Sequence, residues 1–534
     1  MRRQLARRSN CQGRGSTAAR GWSGVIRDDG GVSSHSVERE DKYEVEQTFR
    51  LPDLTTLVPP GGRLEKATRR LTSVYFDTAE RDLLGRAITL RRRDDDSGAE
   101  SGWQLKLPAG NARTELSSPA TESRVAVPHE LAELLTGIRR GRVLRQFATL
   151  RTERRATRIW SGEGELMVEI ADDHVFSAAT GGAGARLDQW REVEAELGPA
   201  GNEKLLLTVG KLLRRAGAIP SRSASKVARA TGRDLPAAAN DGVRDASRKT
   251  KSRGEPPLTA AEVMRRYFAQ QDDVLVMGDL ALRRGEPAIH STRVATRRLR
   301  STLRIFRALL EEPRAAAFDA EVRWYASVLG KVRDLEVQRT RLLAAVAELP
   351  PGWVVGPVVL RIEDYMKEAL ETALTELRQA MATPTYIALL EESELWAVEP
   401  AISRRGESGT KILLRKVKAA ERKTDKHLEA GLAGKAGAQE EEMHEARKSA
   451  KRARYATELL EPVIGGKQVK RRAHKHTRLQ ELLGEHQDSV VAAALLCDLG
   501  AAASAHGEDG YTFGLLFARE KAIAQATLEA TRRL

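Results

Sequence analysis

The sequence predicts a multidomain α+β protein, with an antiparallel β-barrel in its N-terminal part and an all-α, pseudo-twofold helical bundle in its C-terminal part. Between residues 37 and 232, apolar and charged residues alternate with the two-residue period of β-strands. After Thr259, apolar residues recur at helical spacing, and one basic helical motif occurs twice. The chain has 534 residues, which is enough for roughly two to four domains.

Composition divides the chain into four segments. Residues 1–36 are rich in Arg, Gly and Ser and lack hydrophobic periodicity, so we predict a disordered basic tail. Residues 37–232 form the strand-rich domain. Residues 233–257 are rich in Ala, Pro and charge, which predicts a flexible linker. Residues 258–534 form the helical domain, with halves at about 258–405 and 406–534.

The charge and composition of the chain restrict the classes of molecule that it is expected to bind. A formal net charge of +15 favours acidic partners such as polyphosphate, nucleic acid or anionic lipid. Aromatic residues make up only 4% of the chain, which argues against nucleic-acid binding by base stacking. No apolar run approaches the length of a membrane span, so none is expected. Cys11 and Cys497 are far apart and predict neither a disulfide nor a cysteine metal site, so we expect a reducing cytoplasm.

One basic helix motif organises the C-terminal part of the chain. On a helix, the cationic residues that follow His290 form one stripe, and Leu299 and Leu303 lie on the opposite side. The stripe recurs 154 residues later, and the same offset carries Leu329–Asp334 onto Leu483–Asp488. A constant offset indicates an internal duplication. The two stripes are His290, Arg293, Arg297, Arg300 and Arg304, and His444, Arg447, Lys451 and Arg454.

The two stripes predict an anion-binding cleft if the halves pack about a pseudo-twofold axis. Such a cleft focuses positive potential, and arginine matches phosphate oxygens in a bidentate manner. A solvated basic face is the alternative for either helix. We expect His290 and His444 to be mostly uncharged near neutral pH, because neighbouring cations disfavour protonation. We also expect Asp334 and Asp488 to pair with stripe arginines.

The paired H-x-x-R-x-x-x-[RK]-x-x-R helix and L-G-x-x-x-D segment resemble the conserved-histidine α-helical domain, CHAD. The resemblance covers about residues 258–534. It implies a helical domain with two pseudosymmetric halves that binds inorganic polyphosphate through the stripe residues. The residue pattern alone predicts only a cleft for a polyanion.

The first strand of the N-terminal part opens with the pattern E-x-E-x-K. Glu38, Glu40 and Lys42 share one face of a strand. Neighbouring carboxylates repel each other unless a cation lies between them, and Mg²⁺ prefers carboxylates together with phosphate oxygens. A solvated edge strand is the alternative, because alternating charge is common.

The later strands also have one apolar and one charged face. Arg91 and Arg93 share a face, whereas Lys106 faces away from Trp103 and Leu105. Three glutamates share one face of residues 191–197. In an open sheet these charges would face water, whereas closure into a barrel with the charges inward would form a polar tunnel. Such a tunnel could hold a triphosphate among Arg and Lys.

Seven motifs in this part resemble the CYTH domain of the triphosphate tunnel metalloenzymes. They are E-x-E-x-K, Y-F-D-T, L-R-x-R, W-x-L-K-L-P, T-x-R, E-V-E-A-E-L and S-A-S-K, in family order over about residues 37–232. The resemblance implies triphosphate hydrolysis, or less often ATP cyclisation, with Mg²⁺ or Mn²⁺. It further implies catalytic roles for Glu38, Glu40 and Lys42, metal binding by Glu38, Glu40, Glu169, Glu192, Glu194 and Glu196, and phosphate binding by Arg91, Arg93, Lys106, Arg154 and Lys226.

Two assignments stay open at this point. The division of roles among the three glutamates of the last long strand is one of them. The other is the choice between Arg154 and its neighbours Arg151 and Arg155, because a register slip of one residue inverts the face.

The sequence therefore predicts a cytoplasmic, metal-dependent triphosphatase that prefers inorganic triphosphate and carries a polyphosphate-binding helical domain. Association with polyphosphate granules is a further expectation. The alternatives are a catalytically silent polyphosphate scaffold, an adenylate cyclase and a nucleic-acid-binding protein. Scarce aromatic residues disfavour the last of these.

Overall fold

A computed structural model describes residues 34–98, 100–110, 112–119, 125–181, 184–223, 225–232, 258–433 and 436–533. The chain divides into two compact units, Met1–Lys251 and Ser252–Leu534, and each has its own apolar core. The predicted tail, apart from residues 34–36, and the whole predicted linker lie outside the described residues.

The first unit is built on one antiparallel sheet. In the described residues it has the strand order β1-β6-β5-β4-β3-β7-β8-β9-β2-β10. The strands are β1 (Ser34–Glu38), β2 (Glu40–Val45), β3 (Arg63–Asp77), β4 (Thr89–Asp95), β5 (Gly102–Ala109), β6 (Ala112–Ser118), β7 (Arg145–Trp160), β8 (Leu166–Gly181), β9 (Gly184–Leu197) and β10 (Ile219–Pro220).

The hydrogen-bonded sheet is not a closed barrel, so the prediction of a closed barrel needs correction. β1 lies at one end of the sheet, and β2 lies near the other end beside β10. Only Arg39 separates β1 from β2 in the chain. The segment pairs with β6 before Arg39 and with β9 after it, so pairing is interrupted where the same segment serves both edges. The sheet nevertheless wraps around a central cavity.

One helix packs on the outer, apolar face of the sheet. The helix α3 (Glu203–Arg215) begins at Asn202, whose side chain accepts a hydrogen bond from the Leu205 amide at 3.0 Å. Three further short helices are α1 (His129–Leu134), α2 (Thr136–Arg139) and α4 (Lys226–Thr231). Because side chains alternate across a strand, burying the apolar set outside turns the charged set inward. The core under α3 includes Tyr43, Ile159, Val168, Ile170, Val193, Val209 and Leu213.

The second unit is helical throughout its described residues, apart from short turns. Its helices pack around apolar seams, one of which centres on Trp396 between Phe268 and Phe318. They are α5 (Ala260–Arg283), α6 (Ile289–Ile305), α7 (Glu312–Ala347), α8 (Val358–Met381), α9 (Pro384–Val398), α10 (Lys411–Ala433), α11 (Ala436–Leu459), α12 (Glu461–Ile464), α13 (Gly466–Ala505) and α14 (Tyr511–Arg532).

The predicted duplication is visible in the order and packing of these helices. The helices α6 and α11 carry the two basic stripes, and each precedes a long helix, α7 with 36 residues or α13 with 40. The helix α6 packs on α11, and α7 packs on α13. The two halves therefore meet through equivalent helices, as a pseudo-twofold arrangement requires.

Part of α13 is more apolar than the sequence analysis expected. Within His476–Ala505 an 18-residue window has a mean hydropathy of 1.4, so this part of the helix is long and apolar enough for a membrane span. However, Ala492, Leu496 and Leu499 pack with residues of α7, α8 and α14 in one core of the helical unit. Length and composition are weak evidence for a membrane span here, because a helix that packs on several neighbours is also rich in apolar residues.

Candidate functional site

The curved sheet encloses a cavity of about 220 Å³ that is lined by charged side chains of both signs. The lining side chains come from β1 to β9, from the connection between β4 and β5, and from the start of α4. The charged faces of these strands therefore point inward, as the tunnel interpretation requires. Among the described residues, the cationic lining is Lys42, Arg91, Arg93, Lys106, Arg113, Arg154 and Lys226, and the acidic lining is Glu38, Glu40, Glu100, Glu115, Glu169, Glu194 and Glu196.

All of the predicted tunnel residues except Glu192 line this cavity. Glu192 lies beside it, where Trp190 donates a hydrogen bond at 2.5 Å and the ammonium of Lys226 lies at 2.8 Å. The open question about Arg154 is resolved by the register, since Arg154 is 7% exposed and points inward. Its neighbours Arg151 and Arg155 are exposed.

A row of carboxylates crosses three neighbouring strands at one end of the cavity. Glu40 lies opposite Glu196, which lies opposite Glu169. Burial raises the pKa of Glu196 to about 7, and the nearby charge of Glu38 adds to this effect. Burial also raises the pKa of Glu38. At Glu40 burial opposes ionisation, but Lys42, Lys106 and Arg113 together outweigh it and lower the pKa. The nearby cations therefore do not fully neutralise the negative charge of these carboxylates.

This acidic row suits a divalent cation by donor type and by charge. Mg²⁺ and Mn²⁺ prefer carboxylate oxygens, and either ion would offset the burial and the repulsion that raise the pKa of Glu196. In the part of the chain that the structure describes, three or more acidic, histidine or cysteine side chains do not converge into a ready ligand set. Two of the carboxylates form ion pairs with lysines instead. Lys106 lies 2.5 Å from Glu38, and Lys42 lies 3.1 Å from Glu40. A bound divalent ion would replace these lysine–glutamate contacts with contacts between the carboxylates and the ion.

Fixed carboxylates hold the cations in the next layer of the tunnel. Arg154 donates two hydrogen bonds to Asp173, at 2.9 and 2.8 Å, and Asp173 is fully buried. Lys226 lies 3.0 Å from Asp173 and 2.6 Å from Glu194. Burial opposes the charge of Glu194, but Lys226, Lys42 and Arg154 hold its pKa well below its usual range. These groups stay ionised and in place before any ligand binds.

The side chains around Tyr75 form the most cationic part of the lining. Arg91 donates hydrogen bonds to Gln104 at 2.6 Å and to the Tyr75 hydroxyl at 3.3 Å. Burial would raise the pKa of Tyr75, but Arg91 and Arg93 outweigh it and lower the pKa. Burial, Arg91 and Arg154 all lower the pKa of Arg93. Phosphate oxygens at this position would relieve the excess positive charge.

Sequence reasoning missed four charged residues in or beside the tunnel. Arg113 and Glu115 continue the two-residue alternation on β6, and Asp173 is in phase with Glu169 on β8, so alternation could have found these three. Burial opposes the charge of Glu115, but Lys106 and Arg91 lower its pKa to about 2. Glu100 lies on the connection between β4 and β5, where no periodicity marks it.

A second candidate site lies where α6 and α11 meet in the helical unit. A cavity of about 340 Å³ opens between these helices and α7. Of the predicted stripe residues, Arg297, Arg300, Arg304 and Lys451 line it. The full lining is Arg297, Arg300, Ser301, Arg304, Arg323, Lys448, Lys451, Arg452 and Tyr455, of which Arg323, Lys448 and Arg452 were not predicted.

Carboxylates restrain some members of the two stripes. The predicted pairing with Asp334 and Asp488 is confirmed, since Arg293 lies 2.8 Å from Asp334 and Arg447 lies 3.9 Å from Asp488. These two pairs occupy equivalent positions in the two halves. Asp319 contacts both Arg300 and Arg304, at 3.2 and 2.9 Å. Arg454 does not line the cavity and instead contacts Glu458 at 3.2 Å.

Among the described residues, four cavity cations have no carboxylate within ion-pair distance, namely Arg297, Arg323, Lys451 and Arg452. Burial lowers the pKa of Lys451 to about 6, and Arg297 and Arg447 add to this effect. Burial and neighbouring cations also lower the pKa values of His290 and His444, in the direction that the sequence predicts. Both histidines are exposed and lie outside the cavity lining.

Comparison with known proteins agrees with this two-unit organisation. A family model for the CYTH domain matches residues 38–231, and one for the CHAD domain matches residues 266–497. The uncharacterized proteins MT2285 and Rv2226 of Mycobacterium tuberculosis are each 33% identical to the chain over 513 residues, which is 92% of this chain and 94% of theirs.

Several solved structures are also similar to parts of the chain. PptA from Streptomyces chartreusis has 21% identity and a TM-score of 0.44, over 52% of this chain and 99% of its own. The CHAD domain from the plant Ricinus communis has 22% identity and a TM-score of 0.40, over 52% and 98%. The putative adenylyl cyclase HpAC1 from Hippeastrum, described as having a dominant triphosphatase activity, has 18% identity and a TM-score of 0.21, over 36% and 94%.

The chain combines a wrapped antiparallel sheet, whose charged lining faces inward, with a duplicated helical unit. These two features define the class of proteins that join a tunnel domain to a helical domain. Both family matches fall on the units that the structure separates. The chain therefore belongs to the CYTH–CHAD family, with a CYTH domain followed by a CHAD domain.

Proposed function

We propose that the CYTH tunnel hydrolyses a triphosphate, with inorganic triphosphate as the first candidate, and that it uses Mg²⁺ or Mn²⁺. One observation carries this proposal: a row of under-compensated carboxylates and a group of buried cations face the same cavity. The first can hold a divalent ion, and the second can hold phosphate oxygens. A triphosphate with its metal ion needs both.

The cations of the tunnel bind and orient the phosphate chain in this proposal. Arg91, Arg93 and Arg154 present planar guanidinium groups that match phosphate oxygens. Lys106 and Lys226 supply compact charges that can follow the chain. Because Asp173 already holds Arg154 and Lys226, little reorganisation is needed when charge develops in the transition state.

Glu38, Glu40, Glu169, Glu194 and Glu196 would hold the metal ion, which when bound neutralises phosphoryl charge and favours attack by water. Glu192 and Glu194 are the weaker ligand candidates, because Trp190 and Lys226 contact the oxygens of Glu192. Lys42, Lys226 and Arg154 contact those of Glu194.

Lys42 acts as a proton-bearing cation in this proposal. It lies 3.1 Å from Glu40 and 2.8 Å from Glu194. Burial would lower its pKa, but these carboxylates outweigh burial and raise the pKa, so Lys42 stays charged. A lysine that keeps its proton can hold a phosphate oxygen and is unsuited to act as a general base.

Release of orthophosphate from tripolyphosphate with Mg²⁺ tests the tunnel proposal. We expect Lys42→Met and Glu40→Gln each to lower kcat by about 100-fold or more, because each removes a positioned charge. Glu163→Gln is the matched control, since Glu163 is exposed in the turn between β7 and β8 and lies outside the cavity lining. Equal rates in all four proteins, or no release by the wild type with either metal ion, would contradict the proposal.

We propose further that the CHAD domain binds inorganic polyphosphate at the cavity between α6 and α11. The support is the group of enclosed cations, of which Arg297 and Lys451 have no acidic partner among the described residues. A polyanion would supply the missing negative charge. In this proposal the protein acts in the cytoplasm, and the helical domain tethers it to polyphosphate granules.

Retention on long-chain polyphosphate tests this second proposal. We expect the double variant Arg297→Ala, Lys451→Ala to bind at least about 10-fold more weakly, with a shallower dependence on salt. The matched control is Lys331→Ala, Arg339→Ala, since both side chains are exposed and pair with Glu376 and Glu363 outside the cavity. Wild-type retention by the first pair, or equal loss in the second, would contradict the assignment. Hydrolysis of tripolyphosphate should not change in either variant.

A further inference from the structure

One acidic residue of the tunnel differs from the others in its position on the fold. Six of the seven lining carboxylates lie on strands, whereas Glu100 lies on the connection between β4 and β5. A strand fixes the level and direction of its side chains. The position of a residue on a connection is not set by the two-residue alternation of a strand.

Glu100 occupies a position that is suited to an anion. One of its carboxylate oxygens accepts a hydrogen bond from Arg93 at 2.7 Å, and the other accepts one from Arg69 at 2.9 Å. Burial opposes ionisation of Glu100, but Arg93 and Arg154 lower its pKa. A carboxylate that bridges two guanidinium groups makes the contacts that two oxygens of a phosphate would make.

The backbone of the connection holds Glu100 in front of these arginines. Asp95 accepts hydrogen bonds from the Glu100 amide at 3.1 Å and from the Ser97 amide and hydroxyl at 3.1 and 2.7 Å. The Glu100 side chain itself remains 27% exposed, in contrast to the fully buried Asp173. Its backbone is therefore fixed, and its carboxylate can still move.

The strand register places Glu100 away from the acidic row. Arg69, which pairs with Glu100, lies opposite Arg154, and Arg154 lies opposite Asp173. Asp173 is four residues from Glu169 along β8, which corresponds to about 13 Å at the usual rise of a strand. The carboxylate row and Glu100 therefore lie at different heights along the strands, and Arg154 reaches both, since it lies 3.6 Å from Glu169 and lowers the pKa of Glu100.

We propose that Glu100 is a specificity-determining residue that stands in for a phosphate and limits the length of the phosphate chain in the tunnel. A triphosphate fits between the acidic row and Glu100. A longer chain places its next phosphoryl group against Glu100, where two anions compete for Arg93 and Arg69 and repel each other. This inference rests on the proposed function of the tunnel and adds the length of the substrate to it.

The test compares tripolyphosphate with tetrapolyphosphate in the full-length protein with Mg²⁺. Glu100→Gln removes the charge and keeps the shape of the side chain. We expect the ratio of kcat/KM for tetrapolyphosphate to kcat/KM for tripolyphosphate to rise by about 10-fold, because a like-charge contact disappears. Asp94→Asn is the matched control, since Asp94 is on the same hairpin and pairs with Arg92 outside the cavity lining. Its ratio should equal that of the wild type. A ratio in Glu100→Gln that equals the wild-type ratio overturns the inference.

A binding experiment separates failure of this inference from failure of the proposed function. If the wild type hydrolyses neither compound, the triphosphatase proposal fails, and calorimetric titration without metal still tests Glu100. The protein for this titration carries Arg297→Ala and Lys451→Ala, so that the helical domain does not add to the signal. Glu100→Gln should then strengthen binding of tetrapolyphosphate relative to tripolyphosphate. Unchanged relative affinity overturns the inference, and Glu100→Ala repeats the comparison if Glu100→Gln does not fold.

Discussion

Individual lysines in this protein show how the charge of a buried residue depends on its neighbours. Lys42 and Lys226 are buried beside carboxylates, which outweigh burial and raise the pKa of each lysine. Lys451 is buried among arginines, and its pKa falls to about 6. The first two lysines are charged before a ligand arrives. The third needs the ligand in order to become charged at neutral pH.

Polyphosphate binding should therefore depend on pH through Lys451. Its pKa in the free protein, about 6, lies below the ordinary value of 10.5, and a bound polyanion favours the charged form. Binding takes up a proton above pH 6, so affinity should fall as the pH rises from 6 to 9. Lys451→Arg stays charged over this range and should show a weaker dependence. Titrations with long-chain polyphosphate at constant ionic strength measure both slopes, and equal slopes would contradict the role of Lys451.

At the scale of elements, strand alternation predicts most of the tunnel. The inward directions of Arg91, Arg93 and Lys106 follow from the two-residue period once the opposite faces are apolar. Alternation cannot predict Glu100, because a connection has no period. It also cannot predict that Glu192 contacts Lys226, because that contact depends on where α4 begins relative to β9.

The pairing of β7 with β8 stabilises the tunnel through one buried ion pair, Arg154 with Asp173. Asp173→Asn would leave Arg154 and Lys226 short of negative charge. We expect it to destabilise the CYTH unit by about 3–5 kcal/mol, the usual cost of breaking a buried pair. Tripolyphosphate without metal should restore more stability in this variant than in the wild type, because it replaces the lost carboxylate.

Thermal unfolding with and without tripolyphosphate measures both effects. Glu153→Gln is the control, because Glu153 is exposed on β7, the strand that carries Arg154. The role of the Arg154–Asp173 pair would be refuted if Asp173→Asn unfolded at the wild-type temperature.

At the scale of the whole molecule, the sequence predicts the two units and the duplication within the second. The constant offset between the stripes anticipates that α6 packs on α11. Composition is ambiguous for α13, where one window has a hydropathy that is typical of a membrane span although Ala492, Leu496 and Leu499 pack in a core of the helical unit. It fails at the edge of the sheet, because the change of partner at Arg39 depends on strand pairing that no local pattern encodes.

Two separate cores predict two separate unfolding transitions. Leu342 is fully buried in a core of the helical unit, and Ile170 is fully buried in the core of the CYTH unit. Each Leu→Ala or Ile→Ala change should destabilise its own unit by about 2–5 kcal/mol. We expect Leu342→Ala to lower only the temperature of the transition at which polyphosphate retention is lost. Ile170→Ala should lower only the temperature of the transition at which hydrolysis is lost. Calorimetry shows this directly, and a shift of both transitions by either change would show that the units unfold together.

The central claim is that a phosphate chain enters the charged tunnel and is cleaved there. Phosphorus NMR of the wild-type protein with tripolyphosphate and Mg²⁺ tests it most directly, because the spectrum identifies substrate and products together. We predict that the tripolyphosphate signals decline while equal amounts of pyrophosphate and orthophosphate appear, and that chelation of the metal stops the change. Tripolyphosphate that persists unchanged in the presence of Mg²⁺ or Mn²⁺ would contradict the claim.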